Sequence, residues 1–136
     1  MRKIKYLVVH CTATPQSTTI ESIQNYWRTN LKWKASGYHK IVKANGDVVT
    51  LAPDEEVCNG VAGRNTVSLH VSYIGGIDSH GKGYDNRTQG QKDALSMVLH
   101  AWRAKYPAAK ILGHRDFAGV KKACPSFNAV AEYAHI

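Results

Sequence analysis

The stretch KIKYLVVHC, residues 3–11, decides how the chain is to be read. It ends in a continuous apolar, β-branched run rather than an alternating one, the pattern of a strand buried on both faces in the middle of a sheet. His10 stands at the far end of that strand. Thr14-Pro15-Gln16-Ser17 breaks the run, and Thr18 with Glu21 has the spacing of a capping box that opens a helix. Ile20, Ile23, Trp27 and Leu31 follow at helical spacing and give that helix one apolar face.

Working outward, YHKIVKANGDVVTLA at 38–52 has two β-rich runs on either side of Asn45-Gly46, the pair preferred by a tight type I′ hairpin turn. Tyr38 and His39 open the first run. DEEVCNGVAGRNT, after Pro53, reads as a loop, SLHVSYIGGI as a strand ending in a glycine pair, and DSHGKGYDNRT as loop again. Thr88 and Gln91 repeat the capping-box spacing. Ala94, Leu95, Val98, Leu99 and Trp102 then form an amphipathic helix that should stop near Tyr106-Pro107, because the residue before a proline avoids helical geometry. AKILGH reads as a short strand and FNAVAEYAHI as a terminal turn or helix. This order predicts an α/β fold in one domain over 1–136, a central mixed β-sheet flanked by helices.

The totals agree with a single soluble globular unit: 136 residues, 43% hydrophobic and 21% charged. Eighteen Lys and Arg against ten Asp and Glu leave a formal charge of +8, which favours polyanionic surroundings such as nucleic acid, an anionic membrane or an acidic cell-wall polymer. The basic residues are scattered, and no helix-turn-helix, zinc-finger or RNA-binding signature accompanies them, so neither nucleic acid nor membrane is expected as a partner. Cys11, Cys58 and Cys124 are odd in number and widely spaced, which argues against a disulfide framework. The apolar run YLVV is too brief for a signal peptide's central region. The chain is therefore expected to be made in the cytoplasm without a leader, and to act as a monomer.

Three residues that could ligate a metal fall at strand ends or adjoining loops: His10, His114 and Cys124. A catalytic zinc typically takes three ligands from the His, Cys, Asp and Glu set and keeps its fourth position for water. Their spacing alone is not diagnostic. A lone Cys is commonly a small buried hydrophobe and a lone His a satisfied core residue, so both readings stand on the residues alone.

Five blocks in register carry a resemblance: VVHCTAT at 8–14, GYHKIVKANGDV at 37–48, YIGGID at 73–78, GHRD at 113–116 and KACPSF at 122–127. In these, over residues 4 to 130, the chain resembles the zinc-dependent N-acetylmuramoyl-L-alanine amidases of the T7 lysozyme type, in the superfamily shared with peptidoglycan-recognition proteins. The resemblance implies one zinc ion per chain held by His10, His114 and Cys124, with Tyr38 and Lys122 as the polar catalytic pair. It implies hydrolysis of the lactyl–L-Ala amide of peptidoglycan by a zinc-activated water, in a phage or prophage endolysin that reaches the wall after release. With no room for a separate wall-binding domain, muropeptide recognition is expected from the catalytic face, with Trp33, Tyr73 and Tyr84 as candidate contacts. Lys122 is expected to act mainly as an electrostatic stabiliser.

The neighbours have structural readings. Cys11 follows His10 directly, and adjacent strand residues face opposite ways, so core packing is expected for it. His39 has the same relation to Tyr38. Thr12 shares the parity of His10, and Asp116 is expected to orient a loop. Two positions depart from the T7-type pattern: CNGVAG, with Asn59 and Gly60, stands where members often have a histidine, and His70 stands where a small residue is common. The rival reading is a binding-only module of the same fold, disfavoured because Tyr38 and Cys124 are both retained. A cysteine peptidase using Cys124 and His114 would instead be sensitive to alkylation and indifferent to chelation.

Overall fold

The computed structural model describes residues 2–136. β1 (Tyr6–Cys11), α1 (Ile20–Thr29), β2 (Lys40–Val42), β3 (Val48–Thr50), β4 (Ser68–Tyr73), α2 (Gln89–Lys105), β5 (Lys110–Gly113) and α3 (Ala129–Glu132) follow in chain order. The sheet runs β3-β2-β4-β1-β5, with β2, β4, β1 and β5 parallel and β3 antiparallel at the edge. β1 is thus a central strand, as its unbroken apolar run requires.

Side-chain parity divides the sheet into two faces. Leu7, Val9 and Cys11 of β1 with Leu69, Val71 and Tyr73 of β4 join Ala94, Leu95, Val98, Leu99 and Trp102 of α2 in the larger core. Leu95 and Leu99 are fully buried there, and shortening either to Ala would cost about 2–5 kcal/mol. On the opposite face α1 sets Ile23 and Trp27 against Ile41 and Ile74, and Val8 packs with Val61 and Phe117. The even-numbered residues His10, His70 and Ser72 belong to this second face, between α1 and the loop that follows β5.

The α2 boundaries follow their sequence signals. Thr88 accepts from the Gln91 backbone N–H at 3.1 Å and the Gln91 side chain accepts from the Thr88 N–H at 3.0 Å, a complete capping box, and the helix ends at Lys105 before Tyr106-Pro107. For α1 the cap lies one residue later than the spacing suggests: Thr19, not Thr18, accepts from Ser22 N–H. The helix closes at Thr29, so Leu31 lies beyond it and is 39% exposed.

The hairpin forms at Asn45-Gly46 but not through a type I′ turn. Only Gly46 takes a positive φ, +93°, and its N–H donates to Lys43 O at 2.8 Å while Lys43 N–H donates to Asp47 O at 2.9 Å. This is a three-residue loop with the bulge glycine last. Asn45 Oδ1 accepts from Asp47 N–H at 2.9 Å, which satisfies Asn45 without the left-handed conformation a type I′ turn would demand.

Candidate metal centre and active site

Parallel pairing explains why residues a hundred positions apart meet. β1 and β5 run side by side with Val9 opposite Gly113. His10 and His114, the next residues on each, therefore emerge at the same carboxyl edge of the sheet, where open α/β sheets form their binding crevices. Cys124 arrives on the loop after β5: its carbonyl accepts from Arg115 N–H at 2.9 Å, and its Sγ accepts from Cys11 N–H at 3.1 Å. The Cys124–Pro125 peptide is cis.

Among the described residues, His10, His114 and Cys124 are the one group whose ligand atoms could enclose an ion, all lying within 4.8 Å of one another. Cys124 Sγ is 3.8 Å from His10 Nδ1, and the rings of His10 and His114 are centred 4.9 Å apart. Burial lowers the His10 imidazole well below its ordinary value, helped by the neighbouring histidines and Lys122, and brings His114 down to about 4. Both imidazoles are thus uncharged at neutral pH. The Cys124 thiol is held well above its ordinary value by a hydrogen bond with the Cys11 thiol and by burial. A cation in the cluster would supply the opposite field, so metal binding there displaces the sulfur's proton.

Tyr38 and Lys122 reach the same place. The Tyr38 ring lies 5.0 Å from that of His10, and its O–H donates to Cys11 O at 3.4 Å. Burial pushes that phenol above its ordinary range, so it is a proton donor across the working pH range. Lys122 is exposed on the loop before Cys124 and lines the same cleft of about 1310 Å³ as the cluster. Trp27, Trp33, Asn59, Arg64 and Lys121 also line it.

The remaining candidates separate clearly. Cys11 belongs to the core with its thiol against Cys124, and His39 is buried, accepting from His70 N–H at 3.0 Å. Thr12 lines the cleft and accepts from Gly75 N–H at 3.0 Å. Asp116 orients its loop by accepting from Gly113 N–H at 2.8 Å. Of the aromatic contact candidates only Trp33 lines the cleft. Tyr73 is fully buried and donates to Pro125 O at 2.7 Å, and Tyr84 is 58% exposed outside the cleft. Tyr73 shares the parity of Leu69 and Val71, a signal that places it in the core from sequence alone. The structure adds two residues behind His10 to the site, His70 and Asn65.

The chain thus has a mixed sheet with helices on both faces and a cleft at the carboxyl ends of its parallel strands. The chain resembles the Ph2119 endolysin of a Thermus scotoductus bacteriophage with a TM-score of 0.82 and 27% identity, over 99% of this chain and 85% of that one. Drosophila PGRP-LB, at 18% identity and a TM-score of 0.76 over 98% of this chain and 81% of that one, shares the fold. In sequence the chain is 38% identical over 121 residues to the endolysin of Enterobacteria phage K11, covering 88% of this chain and 79% of that protein. It is 36% identical over 124 residues to the endolysin of Escherichia phage T7, covering 90% and 80%. The N-acetylmuramoyl-L-alanine amidase profile matches residues 1–127, and the chain belongs to that family. It is an amide hydrolase of the phage endolysin kind.

Proposed function

We propose that the chain is a zinc amidase that cleaves the amide between the lactyl group of N-acetylmuramic acid and L-alanine in peptidoglycan, with His10, His114 and Cys124 holding one zinc ion. The observation that carries this reading is the convergence of two uncharged imidazoles and one thiol, within 4.8 Å, in an open cleft. The donor set suits the ion: nitrogen and sulfur ligands without a carboxylate match borderline-soft zinc better than magnesium or calcium, and three ligands leave a position open. The Cys11 N–H aimed at Cys124 Sγ favours the thiolate form that a metal requires.

Zinc bound there would supply a lowered pKa to a water and polarise the carbonyl under attack. The chain's own groups do the rest. Tyr38, kept protonated by burial, offers its O–H to the negative charge that grows on the substrate carbonyl oxygen. Lys122 places an ammonium at the same rim and stabilises that charge electrostatically. The cleft walls, with Trp27 and Trp33 on one side and Arg64 and Lys121 among the basic groups, provide apolar and cationic surface for a glycan and its carboxylated stem peptide. Recognition is carried by this cleft.

The reaction is tested by its products. Purified peptidoglycan treated with the protein should gain new N-terminal alanine and no new reducing sugar. Reducing ends without free alanine would identify a glycosidase and overturn the reading. A binding-only role is disfavoured by the presence of the full ligand set with Tyr38 beside it.

A further inference from the structure

His10 is held from behind by a chain of hydrogen bonds that begins at Asn65. The backbone N–H of Val61 donates to Asn65 Oδ1 at 2.8 Å, which identifies that atom as the amide oxygen and an acceptor. His70 Nε2 lies 3.0 Å from the same oxygen, so His70 carries its proton on Nε2. The Nδ1 of a neutral ring so protonated is bare, and it faces His10 Nε2 at 2.9 Å. Two bare nitrogens would repel, so His10 carries its own proton on Nε2. Its Nδ1, beside Cys124 Sγ, is left as the free lone pair.

The space for this relay depends on one residue. A Cβ added at Gly60 would fall 2.2 Å from His70 Nδ1, 2.4 Å from Cε1 and 2.5 Å from Cγ. Gly60 has no left-handed φ that would itself demand glycine, so crowding by the His70 ring is the reason for it. His70 is fully buried, and its backbone N–H is anchored on His39 Nδ1 at 3.0 Å, whose Nε2 in turn reaches Glu56 O at 2.7 Å. The ring has nowhere else to go. Gly60, within the CNGVAG stretch that departs from the T7-type pattern, thus sits against His70, the other departure.

We propose that His70, oriented by Asn65 and accommodated by Gly60, is a positioning residue that fixes His10 in the tautomer whose Nδ1 is free for the metal. Such partners behind a ligating histidine typically change metal affinity by about 10–100-fold when removed. The inference rests on His10 being a zinc ligand.

The test combines zinc affinity, measured by competition with a chromogenic chelator, with ring-nitrogen NMR of the zinc-loaded full chain. The NMR should find His10 and His70 each protonated on Nε2, with a scalar coupling across the His10 N–H···N His70 bond. His70→Gly and Gly60→Ala should each weaken zinc binding by about 10–100-fold. Gly60→Ala should add nothing in the His70→Gly background, because both act through the same ring. His70→Asn, which keeps an acceptor near the position of Nδ1, should bind zinc more tightly than His70→Gly. A His10 ring bare at Nε2 in the unsubstituted chain overturns the proposal whether or not the variants fold, as does parent-like affinity in His70→Gly. A parent chain that binds no zinc at all would instead overturn the metal reading beneath it.

Discussion

The backbone N–H of Cys11 donates to Cys124 Sγ at 3.1 Å, so the strand end that brings His10 to the cluster also points a donor at its sulfur. The thiol of Cys11 also lies beside Cys124, within the larger core and 3.8 Å from Ser126 Oγ. Both the backbone and the thiol of Cys11 thus bear on Cys124. Hydrogen bonding with Cys124 brings the Cys11 thiol down to about 7, while burial takes Cys58, remote from the cluster, up to about 12.

Cys11→Ala keeps the N–H and removes only a buried sulfur. We expect a stability loss of about 1 kcal/mol in thermal or urea unfolding, with zinc content and lytic activity retained. Loss of zinc from this variant would show that the thiol itself ligates.

Tyr38→Phe removes one hydroxyl and leaves the ring packed beside His10 and Trp27. The expected result is a fall of about 100-fold in kcat, with KM and zinc content close to the parent's. A loss confined to KM would make Tyr38 a binding residue only.

Lys122 is exposed and contributes to no core cluster, so Lys122→Met should unfold at the parent's temperature yet lose about 100-fold in rate. An unchanged rate would remove it from the catalytic pair.

Away from the cleft, Arg87 is a buried cation shared by two carboxylates. Its side chain is 1% exposed, bridges Asp85 at 2.9 Å and Glu132 at 2.7 Å, and stacks 3.4 Å over the Phe127 ring. Burial alone would raise the Asp85 carboxyl, but hydrogen bonds from Arg87 outweigh it and hold it below the usual carboxylate range. The same guanidinium holds Glu132 down. Carboxyls lowered by folding contribute stability that is present above their unfolded values, near pH ~4, and lost as pH falls through the folded ones. Arg87→Met should cost about 3 kcal/mol at neutral pH, the low end for a broken buried pair because both carboxylates are partly exposed. Melting curves of parent and variant should stay a constant distance apart above pH ~5 and converge in acid. Curves that remain parallel down to pH ~2 would contradict this assignment.

Much of the architecture was legible because it is set by local rules. The unbroken run in β1, the capping box at Thr88 and the proline after Tyr106 each specify one element through nearest-neighbour chemistry. The departures are also local: Thr19 outcompetes Thr18 for the same helix start, and the Asn45 side chain satisfies itself by bonding Asp47, which removes the need for a type I′ turn. The ligand set was open on spacing and became an expectation only through the five matched blocks. The relay behind His10 was illegible for a different reason. Parity places His10 and His70 on inward faces, but only the parallel pairing of β1 with β4, which sets Val8 opposite His70, makes them neighbours. Nothing in the sequence between two residues 60 positions apart states that pairing.

Zinc content measured beside lysis of purified peptidoglycan, for the parent and Cys124→Ala, tests the metal centre most directly. The parent should carry about one zinc per chain, lose lysis on chelation and regain it with added zinc, while folded Cys124→Ala should hold little zinc and lyse nothing. Normal lysis by Cys124→Ala, or by the parent stripped of metal, would contradict the account.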